Sequence, residues 1–187
     1  MENFDTAPYL VDDNGEPQVF WRGETSGIHY NEFDLAKTDS KVGFFFAEVK
    51  QQADQYAARG TDTRPFHLCS RKTLDLTDVY TQEASEFIRE YTAEFDEWVD
   101  RRSGEQEDVS TLIECGYLYD YEGNGSGDRW NRLFSVANGL GYDAVRILDA
   151  TDGIIAPVCV VFDPQQIIHA EFDMAPSHKG TRSRYTR

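Results

Sequence analysis

Basic residues are scarce in this chain of 187 residues: 18 Lys and Arg stand against 34 Asp and Glu, a net charge of −16. A surface this acidic repels a phosphate backbone, so non-specific nucleic-acid binding is disfavoured. It suits solubility first and a partner with a basic surface second. The positive charge that is present gathers at one end. The segment "MAPSHKGTRSRYTR" (174–187) holds Lys179, Arg182, Arg184 and Arg187 and no acid, which leaves the rest of the chain at −20. Small, polar and without an apolar pattern, it reads as a disordered basic tail. Cysteine is scarce too. Cys69, Cys115 and Cys159 are odd in number and widely spaced, with no C-x-x-C. That argues against a disulfide framework or a zinc site and fits a reducing cytoplasm, with no metal expected. No apolar run approaches the ~20 residues of a membrane span. The opening "MENFDTAPYL" has acids but no basic n-region, so no secretory signal is expected.

What remains is a globular chain, 40% hydrophobic and 13% aromatic, with one expected domain over 1–173. Asn14-Gly15 and Pro17 mark a turn, and Gln18–Arg22 reads as a short strand. Val42–Ala47 is an apolar run too short for a helix, so a buried strand. From Glu48 the period changes: Val49, Ala53, Tyr56 and Ala57 fall on one helical face, with Gly60 as the stop. "RPFHLCS" reads as a strand and "KTLDLTD" as extended or turning. Thr81 caps a long helix running to about Arg102, in which Ala84, Phe87, Ile88, Tyr91, Phe95, Trp98 and Val99 keep a 3.6-residue period. Asp108–Leu118 is a candidate second helix, "YEGNGSGD" a loop, and Trp130–Leu140 another amphipathic helix. Asp143–Leu148 and Val158–Phe162 read as strands. Strands at both ends and helices between them predict an α+β fold with a mostly antiparallel sheet. The helical block over about 78–140 reads as an insertion or lid between two sheet halves.

Three stretches, in order, resemble a known family. "VDDNGEPQVFWRG", "GFFFAEVKQQADQY" and "GYDAVRI…VCVVFDPQQI" are similar to the ordered motifs of the ADP-ribosyltransferases of phages and mobile elements, the kind found in polyvalent proteins. The second stretch also resembles, more distantly, poly-ADP-ribose polymerases. The likeness spans about Val11 to Ile168 and implies a split-sheet transferase fold with NAD as co-substrate. Carried over residue by residue, it implies that Gly23 offers its backbone N–H and C=O to the nicotinamide carboxamide. Arg22 before it would contact the adenosine side; its planar fork suits ribose or phosphate oxygens. Phe45 and Phe46 would floor the pocket, and Tyr56 would stack on the nicotinamide, where an aromatic face suits a pyridinium. Taken alone, Tyr56 reads as a core residue, since it shares its face with Val49 and Ala53.

The family's catalytic carboxylate departs from the pattern. A glutamate is expected just ahead of the last strand, to hold the ribose 2′-hydroxyl and steady the positive charge of an oxocarbenium-like transition state. Val158 occupies that position and Pro157 precedes it. The nearest carboxylates are Asp152 and Asp149 in "LDATDGIIAP", read as a loop, and either is a candidate catalytic acid, with Asp152 preferred because it lies nearer Val158 and precedes Gly153, which lets the loop fold back over the ribose; Glu24 and Glu48 stand next in line. As ordinary residues, these aspartates would be turn formers. The expected function is NAD-dependent mono-ADP-ribosyl transfer to a host or competitor macromolecule, a protein before a nucleic acid, in the cytoplasm (the bacterial host's, if phage-encoded). The rival is a catalytically inactive transferase fold that binds and inhibits a protein through its acidic stretch. From Asp78 to Asp108 that stretch carries 11 acids and 3 bases.

Overall fold

The computed structural model describes residues 7–23, 33–37, 42–57, 63–94 and 127–170. The candidate helix at 108–118, the end of the long helix beyond 94, Gly60, Glu24 and the basic tail lie outside the described residues.

Seven strands form one hydrogen-bonded sheet: β1 (Phe20–Arg22), β2 (Phe44–Ala47), β3 (Arg64–Leu68), β4 (Thr73–Asp75), β5 (Ala144–Thr151), β6 (Ile154–Val161) and β7 (Ile167–His169). Their order is β4-β5-β6-β2-β1-β3-β7. Every neighbouring pair is antiparallel except β4 with β5, so the sheet is mixed. Where the resemblance implied two sheet halves, the ladder is continuous from edge to edge among the described residues. Three α-helices accompany it among the described residues: α1 (Lys50–Tyr56), α2 (Gln82–Glu94) and α3 (Gly127–Gly139).

Side-chain alternation along the strands builds two cores, one on each face. On one face Ala47, Val145, Ile147, Val158 and Val160 meet the helices through Ala53, Ala84, Phe87, Ile88, Tyr91, Leu133, Phe134 and Ala137. On the other, Phe20, Phe44, Phe46, Phe66, Leu68, Ala144, Cys159 and Val161 pack together, with Leu10, Phe33 and Leu35 against them. The apolar faces of α2 and α3 are therefore part of the main core. Thr81 caps α2 as its sequence suggests: its Oγ1 accepts the Ala84 amide at 3.2 Å.

Two of the three motifs build scaffold. In the first, Asp12 Oδ1 accepts the amides of Asn14 and Glu16, closing the turn that reaches Gly15 at φ 81°. In the third, the Asp143 carboxylate takes Ser70 Oγ and the amides of Arg71 and Lys72. Gln166 is fully buried with all its valences used: its Oε1 accepts the amides of Phe162 and Asp163, and its Nε2 donates to the carbonyls of Cys69 and Asp143. It ties the end of β6 to the end of β3 and the start of β5.

Candidate active site

The segment read as a loop, "LDATDGIIAP", is a two-residue hairpin. β5 runs on to Thr151 and β6 begins at Ile154. Asp152 and Gly153 make the turn at φ 48° and 82°, the double left-handed conformation that Asp-Gly favours in tight hairpins. This separates the two candidate acids. Asp152 is exposed at the tip. Asp149 lies inside β5, 6% exposed, and shares a face with Val145, Ile147 and Thr151. Register relates it to the missing glutamate. Val158 is opposite Ile147, and Asp149 is two residues further along β5, opposite Ala156. Asp149 is therefore the diagonal neighbour of Val158 on the same face, about 7–8 Å away by ordinary sheet geometry. Val158 itself is 2% exposed and belongs to the core.

Helix α1 covers this end of the sheet. Its buried residues are Gln52 and Ala53, so the face expected from Val49, Ala53, Tyr56 and Ala57 is rotated: Val49 and Tyr56 are 40% and 48% exposed. Tyr56 is held by its hydroxyl, which donates to Asp149 Oδ2 at 2.6 Å and lies 2.5 Å from Thr151 Oγ1. Thr151 Oγ1 also donates to Oδ2, at 3.1 Å. Gln52 Nε2 donates to the Asp149 carbonyl at 2.9 Å and to Oδ2 at 3.3 Å. All three side-chain donors thus converge on Oδ2. Oδ1 receives none among the described residues. Tyr56 is thus tethered at its hydroxyl and half exposed, and it is not core filling.

Gly23 closes the site from β1. A Cβ there would lie 2.1 Å from the Ala53 carbonyl oxygen and 2.7 Å from the Ala57 nitrogen. Only glycine lets β1 run this close to the end of α1 that carries Tyr56.

The remaining expected site residues go elsewhere. Arg22 Nη1 donates to the Phe45 carbonyl at 3.0 Å, and its guanidinium lies over the rings of Phe33 and Phe46, on the face opposite Tyr56. Phe46 packs in that second core against Phe66. Phe45 points to the helical face, edge-on to Phe134 at 5.5 Å. Tyr56 and Asp149 therefore come together and Gly23 lies against the backbone of the helix turn that carries Tyr56, while Arg22, Phe45 and Phe46 are distributed over the two cores. Glu48, the reserve acid, is engaged: Arg146 Nε donates to it at 2.7 Å, and Arg146 Nη1 meets Asp75 at 2.5 Å. Burial works against the charge on Arg146, but the hydrogen bond and charge of Glu48, with Asp75, outweigh it and push its affinity for the proton up. Beside it, burial raises the Cys159 thiol far above its ordinary value, which leaves no thiolate nucleophile there.

Sequence reasoning missed Gln52 and Thr151. Each left a signal: Gln52 is one helical turn before Tyr56, and Thr151 is two residues after Asp149 on a strand that ends at an Asp-Gly turn. Among the described residues no three metal-ligating side chains gather, and no helix is long and apolar enough to cross a membrane.

No curated protein matches the chain. A solved structure described as the crystal structure of an anti-CRISPR protein is similar at 13% identity and a TM-score of 0.45, over 80% of this chain and 91% of that one. The family described as "ADP-Ribosyltransferase in polyvalent proteins" matches residues 12–173. That span takes in the Asp12 turn, Gly23, α1, the β5–β6 hairpin and Gln166, and the chain belongs to the ADP-ribosyltransferase family of polyvalent proteins.

Proposed function

We propose that the protein is a NAD-dependent mono-ADP-ribosyltransferase acting on a protein of a host or competitor, with Asp149 as its catalytic carboxylate. The observation that carries the reading is the donor pattern on Asp149: Oδ2 is filled by Gln52, Tyr56 and Thr151 while Oδ1 is left to a ligand. A carboxylate so held is ready to accept a ribose hydroxyl and to face developing positive charge without reorganising. Tyr56, half exposed and bonded through its hydroxyl to the same carboxylate, would offer the nicotinamide a stacking face. Gly23 lies against the backbone of Ala53 and Ala57 in the last turn of α1, the turn that carries Tyr56. When NAD is bound, the chemistry is cleavage of the nicotinamide–ribose C–N bond: the electron pair leaves with nicotinamide, and an acceptor nucleophile bonds to the ribose carbon and releases its proton. Asp149 supplies from β5 the charge that the family's glutamate supplies from the neighbouring strand, one diagonal step away.

A second reading has its own support. Val158 puts an apolar core residue at the glutamate position, as in a transferase fold that has kept its shape, lost its chemistry and works as an acidic protein-binding inhibitor. One experiment separates the two. Purified protein is incubated with labelled NAD and a bacterial lysate, and label transfer is followed for wild type, Asp149→Asn and Asp152→Asn. The expected outcome is transfer by wild type, retention in Asp152→Asn, and a loss of about 10²–10³-fold in Asp149→Asn, the usual effect of deleting one preorganised electrostatic group. Transfer surviving in Asp149→Asn refutes the assignment of the acid. Absence of transfer by wild type with any lysate leaves the binding reading in place.

A further inference from the structure

We propose that Gln52 is a positioning residue for the transfer reaction, selecting which oxygen of Asp149 faces the ligand; the inference rests on the functional reading above. Gln52 is fully buried in α1. Its amide nitrogen contacts the Asp149 carbonyl at 2.9 Å and Oδ2 at 3.3 Å. Both are acceptors, so the NH₂ end must face them and the amide orientation is determined by its partners. The hydroxyls of Tyr56 and Thr151 that reach the same oxygen can rotate to follow a moving carboxylate. The amide cannot, because the main-chain carbonyl of Asp149 pins it. Tied at once to the backbone and to one carboxylate oxygen of the same residue, Gln52 closes a ring that selects Oδ2 for the protein and leaves Oδ1 for the ligand.

The arrangement carries a cost that packing alone does not explain. With the nitrogen committed to Asp149, Gln52 Oε1 is sealed from solvent and has no hydrogen-bond partner. A buried acceptor without a donor is unfavourable, and an apolar side chain of equal length would fill the same space without it. An unfavourable buried group next to a reactive carboxylate is the pattern of a residue kept for orientation.

The test is a double-mutant cycle on the full chain, with kcat and KM for NAD read from nicotinamide release. The variants are Gln52→Met, which keeps the length and removes the donor, Asp149→Asn, and the pair together; urea midpoints verify that each is folded. Gln52→Met is expected to lower kcat by about 10²-fold, the effect of misplacing a reacting group by about 1 Å, with KM for NAD near the wild-type value. In the double variant the Gln52 substitution should add nothing to the Asp149→Asn loss, because it acts only through that carboxylate. If Gln52→Met does not fold, Gln52→Glu keeps the shape, reverses the donor, and must show the same split between kcat and KM. Losses that multiply in the double variant, or a raised KM with unchanged kcat, overturn the Gln52 assignment while the functional reading stands. A wild-type protein without turnover overturns both.

Discussion

Replacing Gly23 by alanine places a methyl group 2.1 Å from the carbonyl oxygen of Ala53 and 2.7 Å from the nitrogen of Ala57. Both are backbone atoms, so no side chain can swing away. Restoring an ordinary contact of 3.4 Å to the carbonyl requires β1 and α1 to separate by 1.3 Å. Because α1 carries Gln52 and Tyr56 while Asp149 is fixed in β5, that movement takes the Tyr56–Asp149 contact, now 2.6 Å, out of hydrogen-bonding range. Overpacking of this kind costs about 1–3 kcal/mol, and a hydrogen bond to a charged group contributes about 1.5–3 kcal/mol. The expected destabilisation is therefore about 2.5–6 kcal/mol. Urea denaturation reads it as a lower midpoint at unchanged slope, and a thermal melt with saturating NAD should lose the ligand-induced stabilisation, about 2.7 kcal/mol at 100 times the dissociation constant. The demand on Gly23 is for space and not for an unusual φ. A Gly23→Ala protein whose midpoint is within error of wild type, and which still gains stability from NAD, would refute the close-approach argument and the site built on it.

Two further outcomes are expected. Tyr56→Phe keeps the stacking ring but strips one donor from the Asp149 carboxylate, so it should bind NAD nearly as well as wild type and turn it over more slowly, whereas Tyr56→Ala should lose binding; isothermal titration and nicotinamide release separate the two effects, and equal binding by both variants would mean the ring is not the platform. Burial, reinforced by the hydrogen bond to Glu83, pushes the Tyr142 phenol up to about 12 from its ordinary 10.0; a proton held more tightly in the folded state stabilises the fold fully below pH 10, and this contribution disappears as pH rises towards 12, so urea midpoints should fall over that window, less steeply in Tyr142→Phe.

Local sequence determined much of this protein. Apolar runs and periodicity identified β2, β6 and the buried stripes of α2 and α3, because burial on one face imposes period 2 or 3.6 whatever the fold. Thr81 and the Asn14-Gly15 turn were legible because caps and turns are satisfied by residues within a few positions. The ordered motifs led to the family, and the likeness made Gly23, Tyr56 and Asp149 candidates, together with Arg22, Phe45, Phe46 and Asp152. The choice between Asp149 and Asp152 depended on where β5 ends, and the Asp-Gly signal for a two-residue turn lay there unused. Other features no local pattern contained. Gln52 reaches across 97 positions to Asp149, and Arg146 across 98 to Glu48. The rotation of α1 that buries Gln52 and exposes Tyr56 is set by the close approach of Gly23 and by the polar end of β5, not by the helix's own apolar stripe. Arg22, Phe45 and Phe46 were expected in one pocket because they belong to neighbouring motifs. Strand alternation sends Phe45 to one face and Phe46 to the other, and Arg22 follows Phe46. Three donors from two elements meet at Oδ2 of Asp149 and none among the described residues at Oδ1, a coincidence that exists only once the chain has folded.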